Sequence, residues 1–276
     1  MNIIVKLYGL DDFLSSARLK LQLVEADIVV QCTDTAKPIP ASTRRMTLAL
    51  LFGAALFNYA DRYMLAILIP DIKADLDLSD TQIGILTGLA FTLFYATLGI
   101  PIARLADVFS RRMIVSIALA VWSAMTAVCG LTQTFSQLMV ARVLVGVGEA
   151  GCTPPSHSMI ADTFPRAERA KALATYALGS PSGLLLGFLI GGWLTSQFGW
   201  RIALIAFGLP GIIFAYVIWH KLKEPPRGHS DGLIVDESRP PFWSVFRHLL
   251  GRPSFRHCVL GVSVHGIVYL GVLNWL

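Results

Sequence analysis

Charge is scarce in this 276-residue chain: acidic and basic residues make up 15% of it, hydrophobic residues 54%, and the mean hydropathy is +0.61. Soluble domains carry about 25% charged residues, so this composition excludes a globular enzyme surrounded by water. Cysteine is also sparse. Cys32, Cys129, Cys152 and Cys258 are far apart and show no paired spacing of the kind a metal or redox site needs. They read as small packing residues, and neither a metal nor a cofactor is expected. The amino-terminal stretch lacks a basic start followed by an apolar core and a small-residue cleavage site, so a secretory signal is not read. A net charge of +5 would point to nucleic acid in a soluble protein. Here the basic residues mark one face of a membrane, and no nucleic-acid partner is expected.

What the chain does have is long windows of about 20 residues almost free of charge, the length a helix needs to cross a hydrocarbon layer of about 30 Å. The windows and the turn residues between them predict spans over 46–69, 81–103, 113–130, 136–160, 172–197 and 202–219, with a seventh from about 255. The breaks fall at Pro70, Ser110, Thr132 to Thr134, Pro165 and Gly199. This gives a cytosolic extension over 1–43, with an amphipathic segment near 11–30, then a six-span bundle over 44–220. A proline-containing linker follows over 221–254, with a short amphipathic helix near 242–250, and then the seventh span over 255–276. Fifteen Lys and Arg residues fall in segments of one parity, including Arg44, Arg111, Arg112, Arg166 and Lys221, against Lys73 and Arg201 in the other. The asymmetry places the amino terminus and the linker in the cytoplasm.

Ionisable residues inside spans carry the functional reading. Asp61 and Arg62 lie in the first span, Arg142 and Glu149 in the fourth. Each costs at least about 2.5 to 3.5 kcal/mol at mid-bilayer unless it meets a partner or a water-filled cavity. Asp61 and Arg142 lie at similar depth, so they are expected to pair. Arg142, Gly146 and Glu149 share one helix face, with Gly146 and Gly148 permitting close packing. Pro154 and Pro155 free carbonyls near Ala150 and Gly151 and bend the helix. Ser156 and His157 are adjacent but have no third orienting group, so no catalytic site is read, and the chain is not expected to be an enzyme. A static ion pair holding two helices together is the structural alternative to a transport role.

Residues 103–112, Ala-Arg-Leu-Ala-Asp-Val-Phe-Ser-Arg-Arg, resemble the signature loop of the major facilitator superfamily: glycine, three residues, aspartate, arginine, one residue, glycine and two basic residues. Ala103, Val108 and Ser110 depart from that pattern, leaving Asp107, Arg111 and Arg112. Three further segments, at 57–62, 142–150 and 161–172, make the chain similar to Spinster-type transporters over residues 44 to 276. The resemblance implies an all-helical membrane fold of two six-span halves around a midplane site. The chain would supply the amino-terminal half, the linker and a seventh helix, leaving the carboxyl-terminal half as a missing partner. It also implies that Asp61, Arg142 and Glu149 line a cavity. Animal members of the group move lysolipids and sphingoid phosphates, and proton coupling has been proposed for it.

The expectation is therefore a multi-pass protein of a bacterial plasma (inner) membrane. It would move an amphipathic or anionic organic solute, such as a lysolipid-like molecule, with protons. Asp61 would be the switch, because protonation removes its attraction to Arg142, with Glu149 as second candidate and Arg62 beside them. Asp107, Arg111 and Arg112 would form a cytoplasmic gate. The alternatives are an inactive or assembly-dependent half-transporter and a facilitative uniporter without proton coupling.

Overall fold

The computed structural model describes residues 39–231 and 242–275. The amphipathic segment expected near 11–30 and linker positions 232–241 lie outside the described residues. Nine α-helices are described, and among these residues there is no strand. In chain order they are α1 (Ala41–Asp75), α2 (Asp80–Val108, with a π-helical stretch over Ile85–Leu89), α3 (Arg111–Cys129), α4 (Phe135–Glu149) and α5 (Thr153–Thr163). They continue with α6 (Arg166–Ala177), α7 (Gly179–Lys221), α8 (Phe242–Gly251) and α9 (Pro253–Trp275).

The helix boundaries follow local chemistry. Ser110 and Thr134 cap α3 and α4, each hydroxyl accepting from the amide three residues on. Ser79 and Gln82 form a reciprocal capping box at the start of α2. Pro165 opens α6 after the extended Phe164. Inside α7, Gly199 takes φ +79, a left-handed conformation that L side chains rarely adopt, and there the two halves of α7 change direction. Pro70 does not end the first helix, contrary to the break expected from sequence. It removes one hydrogen bond, but α1 runs on to Asp75 because the fully buried Ile72 packs the following turn into the core.

Among the described residues four stretches are long and apolar enough to cross a membrane: Asp80–Val108, Arg111–Cys129, Phe135–Thr163 and Arg166–Lys221. The last is divided by the Gly199 kink. Polar positions are buried within α1, among them Thr47, Asn58 and Asp61. The molecule is a multi-pass membrane protein whose outward positions are apolar: Leu189, Ile213 and Tyr216 are all more than half exposed, as lipid-facing side chains should be.

Helix α7 packs along both α1 and α3, and α4 packs against α2 and α3. At Gly187 a Cβ would lie 2.6 Å from the carbonyl oxygen of Ala60, so the backbones of α7 and α1 touch directly. At the end of the bundle away from most arginines, Arg201 joins three elements. It donates to the Thr132 carbonyl at 3.1 Å, pairs with Asp75 and stacks 4.2 Å over Trp200. Helices α8 and α9 belong to a second unit, and the Arg252 backbone N–H between them donates to the Leu249 carbonyl at 3.0 Å.

Candidate functional site

Two neighbouring residues of α1 reach two residues of α4. Asp61 is 2% exposed and Arg142 3%, and Arg142 Nη1 donates to Asp61 Oδ2 at 3.4 Å. The other Asp61 oxygen accepts from Thr126 Oγ1 of α3 at 2.7 Å. One residue on, about 100° around the helix, Arg62 Nε donates to Oε2 of the fully buried Glu149 at 2.5 Å. Because Arg142 and Glu149 stand two turns apart on one face of α4, a single helix receives both neighbours.

Aromatic rings of α2 complete the cluster. The Arg62 guanidinium lies 4.5 Å from the Tyr95 ring centre and 5.0 Å from that of Phe91, with Tyr59 of α1 at 5.7 Å. Arg142 stands 5.6 Å from the same Phe91 ring. Such cation-to-ring contacts strengthen when water is excluded. Three buried polar atoms here have no hydrogen-bond partner: Glu149 Oε1, Arg142 Nε and Asn58 Nδ2. Buried polar groups are rarely left unpaired, so the arrangement holds unused hydrogen-bonding capacity at its centre.

Small residues and prolines of the fourth span set the geometry. A Cβ on Gly148 would meet the Trp122 backbone nitrogen at 2.8 Å, and one on Gly146 would meet the Phe91 ring at 3.1 Å. The span breaks over residues 150–152 directly after Glu149, and Pro154 and Pro155 occupy the first turn of α5. Neither proline has an amide to offer the Ala150 and Gly151 carbonyls. His157 packs edge-on against Tyr176, while Ser156 donates to the Cys152 carbonyl at 2.7 Å, so these two adjacent residues do not pair.

At the arginine-rich end, Arg111 is 2% exposed, and its carboxylate partners are Asp162 and Glu224. It also donates to Ser158 Oγ at 2.8 Å and to the Pro225 carbonyl at 2.7 Å. Glu224 closes the N-terminus of α3, accepting from Ser110 Oγ at 2.6 Å and from the Arg111 and Arg112 amides at 3.0 and 2.9 Å. Burial acts to raise its carboxyl, but these hydrogen bonds outweigh burial and hold it below the ordinary carboxylate range. Arg227 donates to the carbonyls of Ala106, Asp107 and Phe109 at the end of α2. Asp162 also accepts from the Gly228 amide at 3.0 Å. Asp231 bridges Arg166 and Arg169, and the Arg166 hydrogen bond first of all lowers its carboxyl. Residues 222–231 are thus bonded to the bundle along their length.

The structure therefore joins Asp61 to Arg142 and Arg62 to Glu149, but it does not join Asp107 to Arg111. The Asp107 carboxylate is exposed, and only the residue's carbonyl is engaged. Thr126, Tyr95, Asp162, Glu224 and Arg227 went unrecognised from sequence. One signal was present: an acid and an arginine flanking two prolines, Glu224-Pro-Pro-Arg227, immediately after a span.

Comparison with known proteins agrees with this architecture. The profile of the Major Facilitator Superfamily matches residues 51–276. An MFS-type efflux pump of Mycolicibacterium smegmatis is 34% identical over 206 residues, which is 75% of this chain and 47% of the relative. Protein spinster homolog 1 of Xenopus tropicalis is 31% identical over 233 residues, 82% of this chain and 44% of the relative. A crystal structure of a bacterial homolog of the human lysosomal transporter Spinster, inward-facing and unoccupied, superposes with a TM-score of 0.68 at 34% identity, over 81% of this chain and 52% of that one. The chain spans about half the length of the curated relatives it matches. On these grounds the chain belongs to the major facilitator superfamily.

Proposed function

We propose that the whole protein is a secondary active transporter that moves a small amphipathic or anionic organic solute with protons. The observation that carries this reading is the under-satisfied charge cluster between α1 and α4, where Glu149 Oε1 and Arg142 Nε are buried without partners. Breaking one buried ion pair by removing a charge strands the other charge, at about 3 to 5 kcal/mol. A proton arriving at Asp61 or Glu149 therefore releases Arg142 or Arg62 toward another anion, and a solute carboxylate or phosphate fits that role. In this reading the arginine-rich end faces the cytoplasm of a bacterial inner membrane, as the distribution of basic residues suggests. Asp107 with Arg111 and Arg112 then belongs to the gate at that end. Exposed Asp107 is available to the other half of the transporter, while Arg111 anchors the gate to its own bundle.

The test uses the full-length protein reconstituted in vesicles with an imposed proton gradient, an internal pH dye and a lysophospholipid or sugar acid as solute. Solute addition should collapse the gradient. Asp61→Asn and Glu149→Gln should abolish gradient-driven uptake while leaving solute exchange at equal pH. Uptake indifferent to the gradient would remove the proton coupling, and failure with every amphipathic and anionic solute would remove the solute class.

A further inference from the structure

The strongest unassigned feature is a pocket of about 250 Å³ at the arginine-rich end, between the first turn of α1 and the end of α7. Its lining is Ser42, Thr43, Met46, Thr47, Lys221 and Lys223. Hydroxyl-bearing and ammonium-bearing residues line it, and among the described residues no carboxylate does. Glu224, which follows Lys223 in sequence, closes α3, and Glu168 is held by Arg44 at 2.7 Å.

We propose that this pocket binds a phosphate group, carried by an anionic phospholipid of the adjoining leaflet. Two independent observations support it. The first is the uncapped start of α1. Pro40 at the cap position offers no side-chain acceptor, and the first amide to bond back is that of Arg44, to the Pro40 carbonyl at 3.0 Å. The amides of Ala41, Ser42 and Thr43 are left without helical acceptors, at the positive end of a 35-residue helix.

The second observation is Thr47, which lines the same pocket yet is only 2% exposed. Helical threonines such as Thr87, Thr163 and Thr175 donate to the carbonyl four residues back. Among the described residues the Thr47 hydroxyl has no partner, and none is held by Lys221 or Lys223. A buried hydroxyl, open amides and two free ammonium groups converge on one space, which is the donor set a phosphate takes. Met46, 49% exposed, gives this pocket an apolar flank where an acyl chain continues toward the bilayer.

Native mass spectrometry of the purified chain tests this. The probes are dioleoyl-phosphatidylglycerol, dioleoylglycerol with the same tails but no phosphate, and inorganic phosphate as competitor. The phospholipid should be retained and the diacylglycerol released. Lys221→Gln with Lys223→Gln should weaken retention by about fivefold per lysine removed, while Arg256→Gln, in the second unit, should not. Thr47→Val should weaken it further without lowering the melting temperature. Displacement of the phospholipid by millimolar inorganic phosphate supports the same chemistry with the free ion as occupant, and resistance to displacement supports the lipid. Equal retention by the double lysine variant, or of diacylglycerol and phospholipid alike, would overturn the site. None of these outcomes depends on transport.

Discussion

Two of the arginine–carboxylate networks in the bundle, that of Arg111 and that between α1 and α4, are finished to different degrees. At the arginine-rich end, Arg44, Arg112 and Arg169 each keep a buried Nε without a partner, but within the Arg111 network the Nε and both Nη atoms of Arg111 have acceptors, and both oxygens of Glu224 and of Asp162 have donors. Between α1 and α4, Glu149 Oε1, Arg142 Nε and Asn58 Nδ2 have none. A saturated network has one good geometry and resists change. A cluster with unused donors and acceptors can rearrange when a proton or an anion arrives, because its present geometry is not uniquely favoured. The same residue types thus act as a fastening in one place and as a responsive centre in the other.

The largest effect is expected from loosening the fastening. Arg111→Gln removes a buried charge with four kinds of partner and strands Asp162 and Glu224 together. It should destabilise the protein by about 3 to 5 kcal/mol, read from denaturant unfolding in detergent. A loss under about 1 kcal/mol would show that water already pays the network's desolvation and would erase the contrast.

Next comes coupling within the central cluster. Asp61→Asn and Arg142→Gln should be non-additive by about 0.5 to 3 kcal/mol in a double-mutant cycle, because the two side chains meet at 3.4 Å with at most 3% exposure. Asp61→Asn with Glu149→Gln should lie nearer additivity, since these carboxylates answer to different arginines. Equal coupling in both cycles would make the cluster one network, as saturated as the other.

The helices were legible because apolar windows and turn residues agree: Ser110, Thr134, Pro165 and Gly199 each mark a boundary or kink that the backbone adopts. The contact of Asp61 with Arg142 was legible from depth alone. That of Arg62 with Glu149 was not, because a difference of one residue turns a helical side chain by about 100°, and only the packed rotation of α1 decides which neighbour meets which turn of α4. Glu224 was hidden for another reason. A linker rich in proline and glycine reads as an untethered connector, and nothing local says that it doubles back to close α3 and to hold the end of α2 through Arg227.

Packing offers a subtler way to sharpen the comparison. Gly148→Ala would push a methyl group to 2.8 Å from the Trp122 backbone nitrogen, whereas Gly84→Ala meets nothing within 4 Å. The first should cost about 1 to 3 kcal/mol and displace Glu149 on the following position. The second should be neutral or slightly stabilising by helix propensity. If Gly148→Ala lowers the melting temperature but spares uptake in the full-length protein, the central cluster tolerates more displacement than its short contacts imply.

The smallest effect concerns pH and belongs to the fastening alone. The Glu224 carboxyl is held below its ordinary value of 4.5, with burial opposing and the Ser110, Arg112 and Arg111 hydrogen bonds prevailing. A group whose folded value is depressed stabilises the fold above its unfolded value, and that contribution fades as pH falls through the lower folded one. Melting temperature should therefore be flat from neutrality to about pH 5 and should fall below about 4.5. Part of that fall should vanish in Glu224→Gln, which starts lower but depends less on acid. The depression acts on a carboxylate 30% exposed, so solvent screens it and the change should be modest beside that of Arg111→Gln. An unchanged acid slope in Glu224→Gln would remove Glu224 from the acid response, and the capping of α3 would then be secondary to the bond between Arg111 of α3 and Asp162 of α5.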